Sequence, residues 1–495
     1  MTATTDKKPE GVEGMLADNI SCGDDLQSQF ALQREAFAAE RYPSLASRLD
    51  RIRRIVDFVV DQQEAIVAAT VKDWLHKPAA FIKAVEILPV INHAKAVSKR
   101  LPSWLRDERR KADFPFNLLG AKAYIRYQPL GVVGVMVPWN GPVAMAMVAA
   151  IDAFSAGNRV MVKISEYSPA AAAMLAETLP RYFDASELSI VTGEVGVSRA
   201  FAALPFDHLM YTGSAGTARH VMAAAAQNLT PVTLELGGKS PVLVDRHADL
   251  QYAAQRTVSG RLINAGQGCI TPDYVLLEAP CLEAFIEAAS QAIRQLYPAE
   301  LQGRDYAAIA TNAHYQRMHE LLDDARASGA RIIEIDVGAT TERRQFSPVI
   351  VVDPADDSRV MQEEIFGPIL VVKTVADLSA AVDYVNAGER PLALYYFGHA
   401  SQAKQQLLAQ THSGGVAINE VMLQLMMSDL PFGGVGHSGM GSYWGGEAGF
   451  RRFSHAKSVF EQGWYKKVAA MMDPPYGATL EKMLKLGMKK IPPRS

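Results

Sequence analysis

The stretch VVGVMVPWN at residues 132–140 indicates the fold of the surrounding chain. An unbroken run of apolar and small residues is typical of a strand that is buried on both faces, and Pro138 ends it. A helix-rich stretch follows at 144–156, and a second short strand at 160–162 ends at Lys163. A strand, a helix and another strand in this order predict a parallel βαβ unit.

The same alternation extends along most of the chain. Upstream, apolar residues at three- and four-residue spacing between Leu45 and Val59 predict amphipathic helices. Downstream, Ser168-Pro169 predicts a helix start, and helices are also expected near 250–262 and 281–296. Further strands are predicted at 124–128, 188–191, 208–211, 232–234, 242–244, 331–335, 349–352, 369–372 and 457–460. We therefore predict an α/β fold with a mostly parallel sheet followed by a second α/β domain.

Length and composition exclude several functional classes. The chain has 495 residues, of which 49% are hydrophobic, so wholesale disorder is not expected. A formal net charge of −3 offers no general attraction to nucleic acid or to an anionic membrane. Cys22, Cys269 and Cys281 are too few for a disulfide framework or a cysteine-ligated zinc site, and we predict no metal site. With no signal-peptide core and no long apolar run, a soluble cytoplasmic protein is expected.

Cys269 lies in the segment NAGQGCI at 264–270. Glycines on both sides of Gln267 would let the backbone approach a ligand and leave the thiol on a loop or at a helix start. Such a thiol becomes reactive where positive charge lowers its pKa, whereas a lone cysteine is usually a buried structural residue. The segment alone leaves both alternatives open. Nothing beside Cys22 or Cys281 suggests activation, and we predict both to be structural.

Other polar groups come directly after predicted strands. Glu235 precedes Gly237-Gly238, Asn140 ends the PWN motif, and Gly213-Ser214 precedes a helix. In open α/β sheets, ligands bind at this end of the strands. A carboxylate there can act as a general base, an amide can stabilise an oxyanion, and a helix N-terminus can meet a phosphate. Each of these groups also has a non-functional interpretation. Glu235 can be a surface glutamate at the end of a strand, Asn140 can cap a turn, and Gly213-Ser214 can form an ordinary connecting turn.

Taken together, these motifs resemble those of the aldehyde dehydrogenase superfamily from about residue 25 to 460. The resemblance depends on the order of PWN at 138–140, Lys163 with Glu166, TGS at 212–214, ELGGKSP at 235–241, GQGC at 266–269, EEIFGP at 363–368 and PFGG at 431–434. The glycine-rich stretch at 413–441 is similar to the class 3 branch. PPYG at 474–477 is similar to the coniferyl aldehyde dehydrogenases of that branch.

The resemblance implies both a fold and a reaction. The fold is aldehyde dehydrogenase-like, with an atypical Rossmann cofactor domain, a second α/β catalytic domain and a small β oligomerisation arm. Cys269 would attack the aldehyde carbonyl to give a thiohemiacetal and then a thioester. Asn140 and the backbone N–H of Cys269 would hold the oxyanion, and Glu235 would activate the water that releases the carboxylic acid.

NAD is the implied cofactor, with NADP as the alternative, because class 3 relatives use both. Lys163 and Glu166 would meet the adenosine ribose, where a carboxylate repels the 2′-phosphate of NADP. Gly213 and Ser214 would lie near the pyrophosphate. The implied contacts on the nicotinamide side are Glu364 and Phe366 at the ribose, together with Pro138, Trp139 and Leu236.

The resemblance also implies domain boundaries and a partner. The NAD(P)-binding domain would comprise 1–120 and 134–235, the catalytic domain 236–438, and the arm and C-terminal tail 121–133 and 439–495. Because the arm cannot bury its apolar face alone, we predict a homodimer. In the basic tail, apolar residues recur at helical spacing from Leu480 to Ile491. For this segment we favour a surface helix packed on its own domain over contact with a membrane or a site entrance.

Gly141 departs from the family pattern, which has Phe or Tyr after PWN. We therefore expect a wide channel and a bulky apolar or aromatic aldehyde as substrate. A CoA-acylating dehydrogenase is one rival, but it has no need of a base such as Glu235. A cysteine hydrolase or acyltransferase is another, and it needs a histidine base, for which His437 is the candidate. A catalytically silent structural protein would not need Cys269, Glu235 and Asn140.

Overall fold

The structure is a computed structural model that describes residues 12–114, 116–465 and 473–488. Its strands are β1 (Glu108–Arg110), β2 (Lys122–Pro129), β3 (Val132–Met136), β4 (Arg159–Lys163), β5 (Leu188–Val191), β6 (His208–Thr212), β7 (Val232–Glu235), β8 (Pro241–Val244), β9 (Tyr274–Glu278), β10 (Arg331–Glu334), β11 (Val349–Val352), β12 (Ile369–Val375), β13 (Ala393–Phe397), β14 (Gly415–Ile418), β15 (Gly439–Met440) and β16 (Ser454–Glu461). Its helices are α1 (Val12–Ala39), α2 (Leu45–Asp61), α3 (Gln63–Trp74), α4 (Ala79–Ile82), α5 (Leu88–Trp104), α6 (Pro142–Ala156), α7 (Pro169–Thr178), α8 (Val195–Ala202), α9 (Ala215–Ala226), α10 (Leu250–Leu262), α11 (Leu282–Leu296), α12 (Asn312–Ala327), α13 (Arg359–Gln362), α14 (Leu378–Ala387), α15 (Ser401–Gln410), α16 (Glu447–Arg452) and α17 (Ala478–Gly487).

The first large sheet is built around β3 and has the order β15-β7-β6-β3-β4-β5. Its neighbouring strands are parallel except for β15, which is antiparallel to β7. Val133 and Val135 of β3 pack into a core with side chains of α2, α5 and α6. Val132 and Met136 pack into a second core with side chains of α1, α8 and α9. Helices therefore cover both faces, which explains why β3 is continuously apolar.

The second large sheet has the order β10-β11-β12-β9-β8-β13-β14. Its strands are parallel except for β10, which is antiparallel to β11. The strands predicted at 242–244, 331–335, 349–352 and 369–372 are confirmed. β9, β13 and β14 are not among the predicted strands. The prediction of a mixed α/β fold with a second α/β unit is confirmed.

A small antiparallel sheet has the order β1-β2-β16. β2 pairs with β16 from Lys122 opposite Glu461 to Pro129 opposite Ser454. The two strand segments proposed for the oligomerisation arm are therefore neighbours. Most β16 side chains are exposed, and Phe460 is 54% exposed. The domain boundaries stay a prediction, and residues 1–11 of the predicted cofactor domain lie outside the described residues.

The C-terminal tail differs from the expectation of a helix packed on its own domain. Leu484 of helix α17 is 49% exposed and Met488, which follows the helix, is 80% exposed, so these apolar side chains are not covered by the described protein. Tail residues 466–472 and 489–495, Ile491 among them, lie outside the described residues. Within the described ranges, we find no helix with the length and apolarity needed to cross a membrane.

Candidate active site

The sheet topology gathers several predicted site residues at one edge. β3, β6 and β7 are parallel neighbours, with Met136 opposite Tyr211 and Thr212 opposite Glu235. The segments that follow these strands begin at 137, 213 and 236, so the PWN, TGS and ELGG motifs all start at the carboxyl edge of the sheet. Ligands bind at this edge in open α/β sheets.

Cys269 lies on the loop between α10 and β9, and the Gln267 side chain fixes that loop. Gln267 is 1% exposed, and its Nε2 donates to the carbonyl oxygens of Asn264 and Ala308 at 2.9 and 3.0 Å. Its Oε1 accepts from the N–H of Ala310 at 2.9 Å. Asn264 has a left-handed backbone with a φ of 54°. The thiol is therefore presented by a loop held in one conformation.

Gly266 allows a close contact between the cysteine loop and a second loop. Gly266 has a φ of 78°, and a Cβ on it would overlap the carbonyl oxygen of Gly367. The lack of a side chain at Gly266 thus lets the cysteine loop pack against the EEIFGP loop. The contact brings Glu364 and Phe366 toward Cys269, and the expected close approach of the loop backbone to a ligand stays a prediction.

Glu235, the last residue of β7, is enclosed by the protein. It is 1% exposed, and neither of its carboxylate oxygens has a hydrogen-bond partner among the described residues. Burial raises the pKa of Glu235 well above its ordinary value of 4.5. A carboxyl with a raised pKa and no other partner is suited to accept a proton from water at the site.

Cys269 is close enough to two carboxyl groups for their charges to act on it. Burial raises the pKa of the Cys269 thiol well above its ordinary value of 9.0, and the charges of Glu235 and Glu364 raise it further. Burial, followed by the charge of Asp273, raises the pKa of Glu364 to about 8. In the protein alone, Cys269 is therefore a neutral thiol at neutral pH. It must lose its proton before the sulfur can act as a nucleophile.

Asn140 contacts the cysteine loop directly. Its Nδ2 donates to the carbonyl oxygen of Gln267 at 3.3 Å, two residues before Cys269. Nδ2 of Asn264 donates to the same oxygen at 3.1 Å. The Asn140 amide therefore lies beside the segment that presents the sulfur, as an oxyanion donor must.

The residues predicted at the adenosine ribose and pyrophosphate follow β4 and β6. Lys163 ends β4, is 2% exposed, and its Nζ donates to the carbonyl oxygen of Ile164 at 2.6 Å. Glu166 lies in the loop before α7 and is partly exposed. Ser214 caps α9, because its Oγ accepts from the N–H of Thr217 at 3.3 Å. Gly213 precedes this cap at the end of β6.

The residues predicted on the nicotinamide side form a second group. The rings of Trp139 and Phe366 meet edge to face, with centroids 5.5 Å apart. Leu236 is buried, and its N–H donates to the carbonyl oxygen of Ser438 at 3.1 Å. Pro138 is partly exposed. A Cβ on Gly237 would overlap the Glu364 carboxylate, so Gly237 permits the close approach of that group.

These features fit a dinucleotide. Around Gly216, in the first turn of α9, a Cβ would meet nothing within 4 Å, so this helix start is open to a phosphate. At the other end, Trp139 and Phe366 provide aromatic surface beside the cysteine loop. A nicotinamide dinucleotide requires N–H groups that can bind its phosphates and a flat apolar surface beside its nicotinamide ring.

A cavity of about 300 Å³ reaches Asn140 and Gly268, the residue before Cys269. Gly141 lines this cavity, and a Cβ on it would lie 3.9 Å from Met145 and 4.0 Å from Glu86 Oε1. The absence of a side chain at Gly141 therefore leaves open space, as the sequence suggests. The apolar wall includes Phe81, Val85, Leu88, Ala144, Ile263, Val421, Leu423, Leu425 and Trp444.

Several buried groups near the site are not among the predicted site residues. The pKa of Tyr443 is raised by burial and then by the charges of Glu235 and Cys269, which places its hydroxyl near both. The Tyr395 hydroxyl donates to the carbonyl oxygen of Ile270 at 2.5 Å, directly after Cys269. His93 lines the cavity. These residues lie more than 100 positions from Cys269, so no local pattern connects them with it.

Two further predictions concern His437 and the other cysteines. His437 pairs with Glu389, and its side chain is 54% exposed, so it has a surface partner rather than a buried thiol. Cys281 is 7% exposed, in agreement with a structural role, while the side chain of Cys22 lies outside the described residues. Across the described residues, no cluster of three or more His, Cys, Asp or Glu is arranged to hold a metal ion.

Comparison with known proteins adds independent information to this geometry. The aldehyde dehydrogenase family matches residues 21–459. The chain belongs to the aldehyde dehydrogenase family. It is therefore an enzyme that oxidises aldehydes, and the predicted family and fold class are confirmed.

Individual aldehyde dehydrogenases support this assignment. A coniferyl aldehyde dehydrogenase from a Pseudomonas species is 42% identical, with 93% of this chain and 96% of that protein covered. A rat enzyme described as aldehyde dehydrogenase, dimeric NADP-preferring, is 37% identical, with 86% of this chain and 92% of that protein covered. Staphylococcus aureus AldH, solved in a substrate-bound state, has a TM-score of 0.87 and 31% identity, with 93% and 99% covered. The predicted resemblance to coniferyl aldehyde dehydrogenases is confirmed.

Proposed function

We propose that the enzyme oxidises a bulky aromatic aldehyde to the carboxylic acid with Cys269 as nucleophile, Asn140 as oxyanion donor and Glu235 as base. The observation that carries the proposal is the buried Glu235 carboxyl, which lacks a hydrogen-bond partner and whose charge acts on the Cys269 thiol. A nicotinamide cofactor, when bound, supplies the acceptor for the hydride that leaves the substrate carbon.

The first half-reaction forms a covalent bond to the protein. Cys269 loses its proton to a base, for which Glu235 is placed, and the sulfur attacks the aldehyde carbon to give a thiohemiacetal. The Asn140 amide donates to the developing oxyanion, an interaction typically worth about 3 kcal/mol. Loss of hydride from the carbon then restores the carbonyl and leaves a thioester on Cys269.

The second half-reaction hydrolyses the thioester. Glu235 first releases to solvent the proton that it took from Cys269. It then takes a proton from water as the water oxygen attacks the carbonyl carbon, and it returns this proton to the Cys269 sulfur as the carbon–sulfur bond breaks and the carboxylic acid is released. The raised pKa of Glu235 makes its carboxylate a stronger base than an exposed glutamate. A CoA-acylating enzyme has no need for this base, so Glu235 favours release of the free acid.

An aromatic substrate is supported by the cavity and by a relative. The cavity has about 300 Å³ of space and a mainly apolar wall, and Gly141 leaves it open beside Asn140. A relative of 42% identity is a coniferyl aldehyde dehydrogenase. Coniferyl aldehyde carries a substituted aromatic ring, and an aldehyde of this class suits the cavity.

We infer that NAD is preferred and that NADP is the second cofactor. Lys163 and Glu166 would meet the adenosine ribose, and a Glu166 carboxylate opposes the 2′-phosphate of NADP. Gly213 and Ser214 would lie at the pyrophosphate, and Glu364 and Phe366 at the nicotinamide ribose. An NADP-preferring relative of 37% identity supports NADP as the alternative.

We also infer a homodimer assembled through the small sheet. β16 is largely exposed, and its Phe460 contacts the ring of Phe116 with centroids 5.7 Å apart. An exposed aromatic edge of this kind suits burial against a second copy. A relative is described as dimeric. Sedimentation that gives a stable monomer at micromolar concentration would contradict this inference.

An aldehyde panel assayed with NAD and with NADP tests the proposed function. We expect reduced cofactor and free acid to form in equal amounts from cinnamaldehyde-type substrates, with no effect of added CoA. Cys269→Ala should abolish both products, whereas Cys281→Ala, which removes a structural thiol, should keep the Cys269 chemistry. Activity that requires CoA, or that persists in Cys269→Ala, would contradict the proposal.

A further inference from the structure

The EEIFGP loop, which carries Glu364 and Phe366, connects the end of α13 to the start of β12. Phe366 has a left-handed backbone with a φ of 49°, which a residue with a side chain adopts where its surroundings hold it there. A Cβ on Gly367 would overlap the Met318 sulfur, so the loop also packs closely against α12. Contacts from outside the loop must therefore hold it in this conformation.

Arg317 of α12 supplies several of these contacts. Its Nη1 donates to the carbonyl oxygen of Ile365 at 2.7 Å, and its Nη2 donates to the carbonyl oxygen of Glu364 at 2.7 Å. Nη2 also donates to Oε2 of Glu363 at 2.9 Å. Hydrogen bonds from a charged donor are stronger than neutral ones, and the planar guanidinium fixes the directions of its N–H groups. One side chain therefore holds two neighbouring carbonyl groups of the loop.

Lys239, in the ELGGKSP motif, holds the start of the same loop. Its Nζ donates to the carbonyl oxygens of Val360 and Glu363 at 2.7 and 3.0 Å, and it pairs with Asp273 at 3.0 Å. Because Asp273 is 1% exposed, removing Lys239 would leave a buried carboxylate without the cation that donates to it. The Arg317 side chain is 27% exposed, so it can be changed while this buried pair stays intact.

Resting on the proposed function, we propose that Arg317 is a positioning residue for the cofactor, because it holds the EEIFGP loop so that Glu364 and Phe366 can meet the nicotinamide ribose. Without Arg317, the carbonyl groups of Glu364 and Ile365 lose a charged donor, and the left-handed backbone of Phe366 loses support. The residues proposed at the adenosine ribose and the pyrophosphate follow β4 and β6, away from this loop. The effect of Arg317 should therefore be confined to the nicotinamide half of the cofactor.

The test measures the Kd for NAD and the Kd for ADP by calorimetric titration of the full-length enzyme. ADP has the adenosine and the two phosphates but no nicotinamide ribose. In Arg317→Met we expect the Kd for NAD to rise about tenfold or more, while the Kd for ADP stays within about twofold of the wild-type value. Arg326→Met is the matched control and should keep both constants, because Arg326 lies on the same helix but donates to Asp323 and Glu334.

The two ligands separate the possible results. An unchanged Kd for NAD in a folded Arg317→Met enzyme, or equal rises in the Kd for NAD and for ADP, would overturn the proposal. If the wild-type enzyme binds neither NAD nor NADP, the proposed function itself fails.

Two further variants test how Arg317 acts. Arg317→Lys keeps a positive charge but lacks the planar guanidinium, so its Kd for NAD should lie between those of the wild type and Arg317→Met. If Arg317→Met does not fold, a wild-type Kd in Arg317→Lys would overturn the proposal. In Glu364→Ala the proposed ribose contact is already lost, so adding Arg317→Met should raise the Kd for NAD by a smaller factor than in the wild type. An equal factor in both backgrounds would mean that Arg317 does not act through the loop, and would overturn its positioning role.

Discussion

Replacement of Glu235 by Gln separates the chemistry of this carboxyl from its place in the core. Gln has nearly the same size and stays uncharged, so it preserves the packing at the end of β7. Since neither carboxylate oxygen of Glu235 has a hydrogen-bond partner, the change breaks no side-chain hydrogen bond within the described residues. We therefore expect a folded enzyme that has lost its base.

The kinetic consequence should be a block at hydrolysis. A positioned general base contributes about 100- to 10,000-fold, so steady-state turnover of Glu235→Gln should fall by that range. Acylation should fall less, because hydroxide in solution can also deprotonate the half-buried Cys269 thiol. Rapid mixing with aldehyde and cofactor should then give reduced cofactor in the first turnover, followed by a slow phase. A slow phase as fast as wild type would refute the role of Glu235.

The same substitution should change how stability depends on pH. The folded-state pKa of Glu235 lies well above 4.5, so folding favours the protonated form. Below about pH 4.5, Glu235 makes its full contribution to the free energy of unfolding. This contribution is lost as pH rises toward the folded-state pKa of Glu235. As pH rises above about 4.5, the free energy of unfolding of Glu235→Gln should therefore gain relative to that of the wild type. Urea unfolding measures this gain, and the exposed control Glu300→Gln should show none.

Three further substitutions test other parts of the site. Asn140→Ala removes the proposed oxyanion donor and should lower kcat by about 100- to 1,000-fold with little change in cofactor binding, whereas an unchanged kcat would exclude that role. Gly141→Phe fills open space in the cavity and should lower kcat/KM for aromatic aldehydes by about tenfold or more, while kcat/KM for a short aliphatic aldehyde should stay near the wild-type value. Equal losses of kcat/KM for both aldehydes would contradict the assignment of this cavity as the substrate channel. Gly237→Ala, whose methyl group overlaps the Glu364 carboxylate, should weaken cofactor binding in a titration, while Gly487→Ala in open space should not.

The fold could be predicted where the pattern of apolar residues was local. β3 and β4 are continuous apolar runs bounded by Pro138 and Lys163, and such runs need no information from the rest of the chain. β13 was missed, although it too is buried throughout. Its sequence ALYYF has no period that separates a strand from a buried helix, and its partner β8 is distant in the sequence.

The sequence motifs allow the reacting groups to be proposed, but they do not reveal the contacts that support these groups. Ser168 was correctly placed at a helix start, yet its Oγ donates to the carbonyl oxygen of Trp139 at 3.2 Å. The first N–H groups of α7 are instead capped by Asp73, nearly 100 residues earlier. The buried hydrogen bond between His93 and Asp152 likewise spans 59 residues. Contacts of this kind depend on which helices become neighbours, and no pattern within one segment specifies them.

The central claim is that the Cys269 sulfur forms a covalent bond to the substrate and that Glu235 activates the water that hydrolyses this bond. The most direct measurement is mass spectrometry of Glu235→Gln after reaction with an aromatic aldehyde and oxidised cofactor, followed by peptide mapping. Our account predicts an acyl group, present as a thioester, on the peptide that contains Cys269. An unmodified Cys269 in a variant that has reduced its cofactor, or an acyl group on Cys281, would contradict it.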